Sequence, residues 1–357
     1  MNVSNGPARK IEIRIKIDIV TTPNEELKET GFGTPKACNK VLEVIERMGY
    51  DVRLNVCKSR EELDKIVKRN PELVVLAVKY IPLENEEDVW LSDYFSRHGI
   101  NFTGSSRDVL KFDSNKVLAK LHLANNGIET ARYFVAVPGQ FKRENELPIE
   151  FPLFLKPMDA ANGNGIDDLS FVTSYSEFKS KILSLYSLYH SPVLVEEYLD
   201  GQEFTVSVIR TSNNELIVSP IEIVPSQSKN GLRILGQKAK KDNLEELKTI
   251  EHDEVKNKVR KLAIDSFLSL GVRDFGRIDI KANKVGDCFF LEANLVPGMT
   301  LGSSYFPESC KIEHGFSYDL VIEVMLGKGL GRVMPTVRRN KYINSDNKLA
   351  TAPVLPL

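Results

Sequence analysis

A chain of 357 residues, 42% hydrophobic and 27% charged, has the composition of a soluble globular protein and the length for two or three compact units. A formal net charge of -1 gives no overall pull toward nucleic acid or an acidic membrane, the polar start MNVSNGPARK lacks a secretory core, and no apolar run reaches bilayer length, so the cytoplasm is the expected location. Cys38, Cys57, Cys288 and Cys310 form no CxxC pair and the five histidines are scattered, which excludes a clustered zinc site and reads as reduced structural thiols.

In chain order, residues 10–20 (KIEIRIKIDIV) alternate strictly, with Ile11, Ile13, Ile15, Ile17 and Ile19 opposite charges. That pattern predicts a half-exposed strand rather than a buried parallel one. A helix follows over TPKACNKVLEVIERMG, with Thr34 as N-cap and Pro35 in the first turn. Strand DVRLNV, helix SREELDKIVKRN, strand LVVLAV, helix EEDVWLSDYFSRHG and strand INFTG come next. Strands alternating with helices imply a parallel sheet with crossover helices, and a first domain over residues 1–107.

A second unit begins with helix KFDSNKVLAKLHLANNG, then ARYFVAV, strand FPLFLKP, a Gly/Asn loop DAANGNGI and strand LSFV. The stretch VLVEEYLDGQEFTVSVI reads as a hairpin split at Asp200–Gly201. Residues 224–243 are lysine-rich without a clean period and read as a mobile loop. Helix EVKNKVRKLAIDSFLSLG leads into the hairpin RIDIKANKVGDCFFLEAN, and the residues from about Pro335 read as a loose tail.

Three of these stretches carry chemistry. Lys156 ends a strand beside Gly163 and Gly165; such a loop can cradle phosphate, although alone it reads first as a plain turn. Glu196, Glu197 and Glu203 surround a tight turn, either as a charged strand edge or as part of an adenine and ribose site. The RIDI…FFLEAN hairpin places Arg277 and Asp279 on one strand, Glu292 and Asn294 on the other. Phe290, two residues from Glu292, is expected on the same face. If the register sets Asp279 beside Glu292, two carboxylates and an amide oxygen converge, a set suited to magnesium held together with substrate phosphates.

In order, FLKP…NGNGI, VLVEEYLDGQEFTV and RIDI…FFLEANLVPGMTLGSSYFP resemble the successive motifs of ATP-grasp enzymes, specifically the D-alanine–D-alanine ligase family, from about Asn101 to Gly331. The resemblance implies an α/β, three-domain ATP-grasp fold: the N-terminal parallel α/β domain, a central lid domain over 108–191, a C-terminal ATP-grasp domain over 192–334, and a tail over 335–357. It implies ATP and two magnesium ions, with manganese as an alternative, and a small-molecule carboxylate and amine as substrates. Activation of the carboxylate as an acyl phosphate is the implied reaction, and a homodimer the implied assembly.

Residue by residue, the resemblance assigns Lys116 and Lys156 to the ATP phosphates, Glu196, Glu197 and Leu199 to adenine, and Glu203 to ribose. Lys238, or alternatively Lys240, would be the mobile-loop phosphate lysine. Asp279, Glu292 and Asn294 match the metal ligands, Arg277 and the backbone around Gly298 the oxyanion site, and Ser303 a serine near the second substrate's carboxylate. Departures lie at the first substrate. TTPNEELKETGFGT offers only Glu29 for an ammonium, Asn162 and Asn164 replace paired serines, and KYIPLENEEDVW lacks the family's histidine. The expected function is therefore an amide-forming ligase with a first substrate other than D-alanine. A genuine D-alanine–D-alanine ligase and a non-catalytic nucleotide-binding protein are the alternatives.

Overall fold

The structure is a computed structural model and describes residues 14–23, 31–84, 86–158, 163–227, 231, 233–236, 242 and 244–333. Glu29, Asn162, Lys238, Lys240, the first half of the alternating 10–20 stretch and the expected tail lie outside these residues.

The first unit runs β1 (Lys16–Thr21), α1 (Pro35–Arg47), β2 (Asp51–Val56), α2 (Arg60–Arg69), β3 (Leu73–Leu76), β4 (Tyr80–Ile81), β5 (Val89–Trp90), α3 (Leu91–Arg97) and β6 (Asn101–Phe102). Four strands form a parallel sheet in the order β2-β1-β3-β6, while β4 and β5 pair as a small antiparallel ribbon. Thr34 caps α1 by accepting from the Ala37 amide. Strand β1 corrects the expectation of a half-exposed strand: it is a central parallel strand, paired on both sides, and buried from Ile17 to Thr21. The charged position that suggested a solvated face, Asp18, is buried and ion-paired to Arg69 of α2. Alternation recorded a paired charge beneath a helix, not contact with water.

The second unit begins with α4 (Arg107–Ser114) and α5 (Lys116–Asn125). The single helix expected here is two, broken at Asn115, whose side-chain oxygen accepts from the Leu118 amide at 2.9 Å and so starts a new helix. Then come β7 (Tyr133–Ala136), β8 (Leu153–Pro157), β9 (Phe171–Val172), α6 (Tyr175–Tyr189) and β10 (Val193–Glu197). Their antiparallel sheet, in the order β7-β10-β8-β9, packs Leu153, Leu155, Val193 and Val195 against Phe178, Ile182 and Leu185 of α6.

The third unit comprises β11 (Glu203–Arg210), β12 (Leu216–Val224), β13 (Glu246–Thr249), α7 (Asp253–Ser269), β14 (Phe275–Ala282), β15 (Cys288–Asn294), α8 (Tyr305–His314) and α9 (Tyr318–Val333). Its antiparallel sheet runs β13-β12-β11-β14-β15. Phe204, Val206, Val208, Ile278, Ile280 and Phe290 share a core with Val259, Ala263 and Phe267 of α7. Helix α8 is tied to β11 through Ser309, which donates to Ser207 at 2.7 Å.

The Asp200–Gly201 hairpin is not formed. Strand β10 belongs to the middle sheet and β11 to the third, so residues 198–202 cross from one sheet to the other. Gly201 donates to the Ala282 carbonyl at 3.0 Å, and a β-carbon there would lie 2.4 Å from the Asn283 carbonyl oxygen. The glycine serves this close approach; its φ is not in the left-handed region that the two-residue hairpin turn demands.

The first and third units are not separate bodies. One core runs from Ile17, Ile19, Val41 and Ile45 to Val321, Ile322 and Met325 of α9, and on into the third sheet. Buried Asp274 accepts from both Nη groups of Arg332 at 2.7 Å and from the Gly104 amide at 2.9 Å, while Arg273 donates to the carbonyls of Phe102 and Gly104 at 2.6 Å. This clasp fastens the end of the first sheet to the start of β14.

Candidate active site

A cleft opens between the middle and third sheets. Phe154, Lys156 and Glu196 line one wall, Glu203, Asp279 and Glu292 the other. Gly163, Asn164 and Ile166 of one loop and Arg233, Ile234 and Leu235 of another also reach it. The two loops touch: a β-carbon on Gly236 would lie 2.5 Å from the Ile166 carbonyl oxygen.

The register of β14 against β15 brings the expected oxygen ligands together. Asp279 stands opposite Glu292 and Arg277 opposite Asn294. Arg277 donates to both oxygens of Asp279 at 3.0 Å, Thr205 donates to Asp279 at 2.7 Å, and the Asn294 amide donates to it at 3.1 Å. Burial works against the Arg277 charge, yet Asp279 and Glu292 together hold its pKa above the ordinary arginine value. The ring of buried Tyr305 lies 5.3 Å from the guanidinium, and its hydroxyl donates to Glu245.

Phe290 is a correction. A bulge interrupts the register after Asp279, so Phe290 pairs with Ile280 and is fully buried in the core, away from Glu292. The extra residue, Leu291, lines the cleft beside Glu292. Without the bulge, Glu292 and Phe290 would share a face.

Two of the expected residues, Lys156 and Glu196, meet at the opposite wall. Lys156 lies 2.6 Å from one oxygen of Glu196, and Lys120 lies 2.6 Å from the other. Lys120 also donates to the Phe290 carbonyl at 3.1 Å. Lys116, first residue of α5, is 3.3 Å from Glu292. Burial alone would raise the Glu196 carboxyl, but Lys120 and Lys156 hold it below its ordinary value. Burial depresses the Lys120 ammonium, whereas for Lys156 the opposing pull of Glu196 and Glu292 wins and its pKa is raised.

Glu197 pairs with Arg132 at 2.8 Å, Leu199 is buried on the cleft wall, and Glu203 accepts from Lys281 at 3.2 Å. Gly298 sits where a β-carbon would lie 2.7 Å from Ser304 Oγ, which also accepts from the Thr300 amide at 2.8 Å. The hydroxyl against Gly298 is thus that of Ser304; Ser303 donates its amide to the Thr300 carbonyl at 3.3 Å. The first unit reaches this loop, since the Met299 amide donates to the Phe32 carbonyl at 3.0 Å.

Sequence reasoning missed Lys120, Lys281 and Tyr305. Lys120 had a signal: Lys116, Ala119, Lys120 and Leu123 repeat at helical spacing and are all buried, whereas Leu118 and Leu121 are exposed. Burial disfavours the thiolates of three cysteines, pushing Cys57 up to about 12 and Cys38 and Cys310 up to about 11.

Comparison with known proteins decides what this cleft belongs to. The family described as D-ala D-ala ligase C-terminus matches residues 123–327. A D-alanine--D-alanine ligase of Marinomonas sp. is 30% identical over 287 residues, covering 79% of this chain and 86% of that protein. The chain belongs to the D-alanine–D-alanine ligase family. It is an ATP-grasp, ADP-forming ligase. A ligase of the same name from Aquifex aeolicus is 26% identical, covering 84% of this chain and 95% of that one. Among solved structures, a Bacillus anthracis D-alanine--D-alanine ligase complexed with ATP superposes with a TM-score of 0.67 at 19% identity, covering 90% and 99% of the two chains. The VanG D-Ala:D-Ser ligase of Enterococcus faecalis gives 0.65 at 20%, covering 89% and 100%. These two establish the ligase's ATP-grasp fold. No helix among the described residues is long and apolar enough to cross a membrane.

Two carboxylates and an amide make a hard, all-oxygen set, and the described residues hold no group of three His, Cys, Asp or Glu able to bind a metal alone. The chemistry of these donors suits a hard cation such as magnesium only if phosphate oxygens complete its shell.

Proposed function

We propose that this ligase joins a carboxylate other than D-alanine to the amine of an amino-acid-like second substrate, through an acyl phosphate. Lys116, Lys156 and a lysine of the 224–243 stretch, Lys238 or Lys240, would receive the phosphates; Glu196, Glu197, Leu199 and Glu203 would hold adenine and ribose. Asp279, Glu292 and Asn294 would hold magnesium, which when bound concentrates positive charge on the transferred phosphoryl group. Arg277, aimed by its two bonds to Asp279, and the backbone at Gly298 would face the oxyanion that develops when the amine attacks. Ser303 and Ser304 flank the place expected for the second substrate's carboxylate. The Gly163–Ile166 and Arg233–Leu235 loops would close over the cleft and keep water from the acyl phosphate.

Lys79 carries the substrate reading. It falls in the segment where the family pattern has a histidine, is buried, and sits 2.8 Å from Asp113. Asp113 is itself engaged, accepting from the Leu295 amide at 2.6 Å. A buried substrate ammonium needs a carboxylate partner, and this one is held by Lys79 and the Leu295 amide. A second reading, D-alanine as both substrates, is favoured by the names of the relatives.

The test is product mass spectrometry with ATP and magnesium, comparing D-alanine alone with pairs drawn from amino acids and small carboxylates. The expected result is ADP and a new amide with a pair other than two D-alanines. D-alanyl-D-alanine formed as fast as the best alternative product would restore D-alanine as first substrate, and no ADP from any pair would overturn the proposed substrate classes.

A further inference from the structure

The cleft wall holds more buried charge than phosphate binding alone explains. Lys120, Glu196 and Lys156 come from α5, β10 and β8, and their side chains are 0%, 4% and 7% exposed. One carboxylate serves two ammonium groups, with each oxygen 2.6 Å from one nitrogen. Lys156 and Glu196 line the cleft, while fully buried Lys120 does not.

A lone Lys156–Glu196 pair would be a poor phosphate site. The carboxylate would neutralise the lysine and present its own negative charge to the nucleotide. A second cation behind the carboxylate changes the balance. We propose that Lys120 is a positioning residue that acts through Glu196, occupying one carboxylate oxygen so that the Lys156–Glu196 pair faces the cleft with net positive charge for the nucleotide phosphates. Its bond to the Phe290 carbonyl fixes Lys120 on the inner side of the carboxylate, next to the bulge that aims Glu292. The cluster is thus a three-layer stack, cation, anion, cation, whose outermost charge meets the substrate. This inference rests on the assignment of Lys156 to phosphate, and it adds a consequence of opposite sign. Removing Lys120 should harm phosphate binding, and removing the Glu196 charge as well should restore it.

The experiment uses the full chain and compares binding of a non-hydrolysable ATP analogue with magnesium, and of adenosine, to Lys120→Met, Lys120→Arg, Glu196→Gln, the Lys120→Met/Glu196→Gln double variant and Lys156→Met. Loss of one charge-assisted contact at a buried site predicts that Lys120→Met weakens the analogue about tenfold. The double variant should recover to within about threefold of the parent, because a lone lysine again faces phosphate. Adenosine, which carries no phosphate, should bind Lys120→Met like the parent, and its affinity for the two Glu196 variants is the reference against which their analogue affinity is read; Lys120→Arg should retain most of the analogue affinity. Analogue binding unchanged in Lys120→Met, or a double variant at least as weak as that single one, would overturn the proposal and leave Lys120 as a purely structural ion pair. If Lys120→Met fails to fold, the ratio between Glu196→Gln and the double variant decides: a double variant that binds well supports the proposal, and one that folds but does not bind overturns it. Unaltered binding by Lys156→Met would instead remove the phosphate assignment itself, a separate outcome.

Discussion

At the scale of single residues, the site depends on groups that have no spare room or spare partner. Gly298 is one: its missing β-carbon leaves space that Ser304 Oγ fills. Gly298→Ala must displace that hydroxyl or the loop, so turnover is expected to fall about a hundredfold, the range seen when an oxyanion donor is lost. The fold should survive, as judged by circular dichroism and an unchanged melting curve. Retained turnover would remove Gly298 from the oxyanion site. Glu292 is another. Glu292→Gln keeps its volume and removes its charge, so magnesium-dependent ADP formation should disappear while the protein stays folded, and near-normal ADP formation would sink the metal assignment.

Several such residues were legible in the sequence and others were not, for a physical reason. Arg277, Asp279, Glu292 and Asn294 alternate on two adjacent strands, and period-two geometry alone gathers them once the strands pair. Lys120 hid in a helix where lysines usually face water, because the usual inference from charge to exposure fails when a carboxylate waits on another element. Asp18 hid for the same reason.

At the scale of elements, the bulge between β14 and β15 does what regular pairing cannot. It keeps Phe290 in the core while Glu292 and Leu291 face the cleft. Deleting Leu291 would restore a regular ladder and force one side of the bulge onto the wrong face. The deletion should abolish ADP formation and lower the melting temperature by several degrees; a fully active variant would show that the bulge is incidental. Local pattern could not reveal the bulge, since seven residues of CFFLEAN read equally well as an unbroken strand. The same limit explains the absent hairpin at Asp200–Gly201. The dipeptide is a strong local turn signal, but the strands on either side satisfy their hydrogen bonds in different sheets.

At the scale of the whole molecule, the order of strands and helices was legible and the joining of units was not. The first sheet follows from alternating elements, whereas its continuity with the third unit depends on contacts between residues more than a hundred positions apart. Asp274 is the centre of that joint. Asp274→Ala would remove the buried carboxylate that holds the half-buried Arg332 and Arg273 and the Gly104 amide, which is expected to cost about 2 kcal/mol. Chemical denaturation measures this directly; a loss below about 1 kcal/mol, the level of a surface pair, would mean that the clasp is ornamental.

The shared core also sets a timetable. During synthesis the first sheet emerges early, yet the helix that packs against α1, β3 and β6 is α9, almost the last segment described. Until then that face of the sheet has α1 across it but not α9. Arg47 cannot meet Asp319, at 2.8 Å in the finished protein, before nearly the whole chain has been made. A chain cut short before α9 therefore loses more than its end. It leaves its beginning exposed, a sticky surface of the kind that chaperones bind and proteases clear.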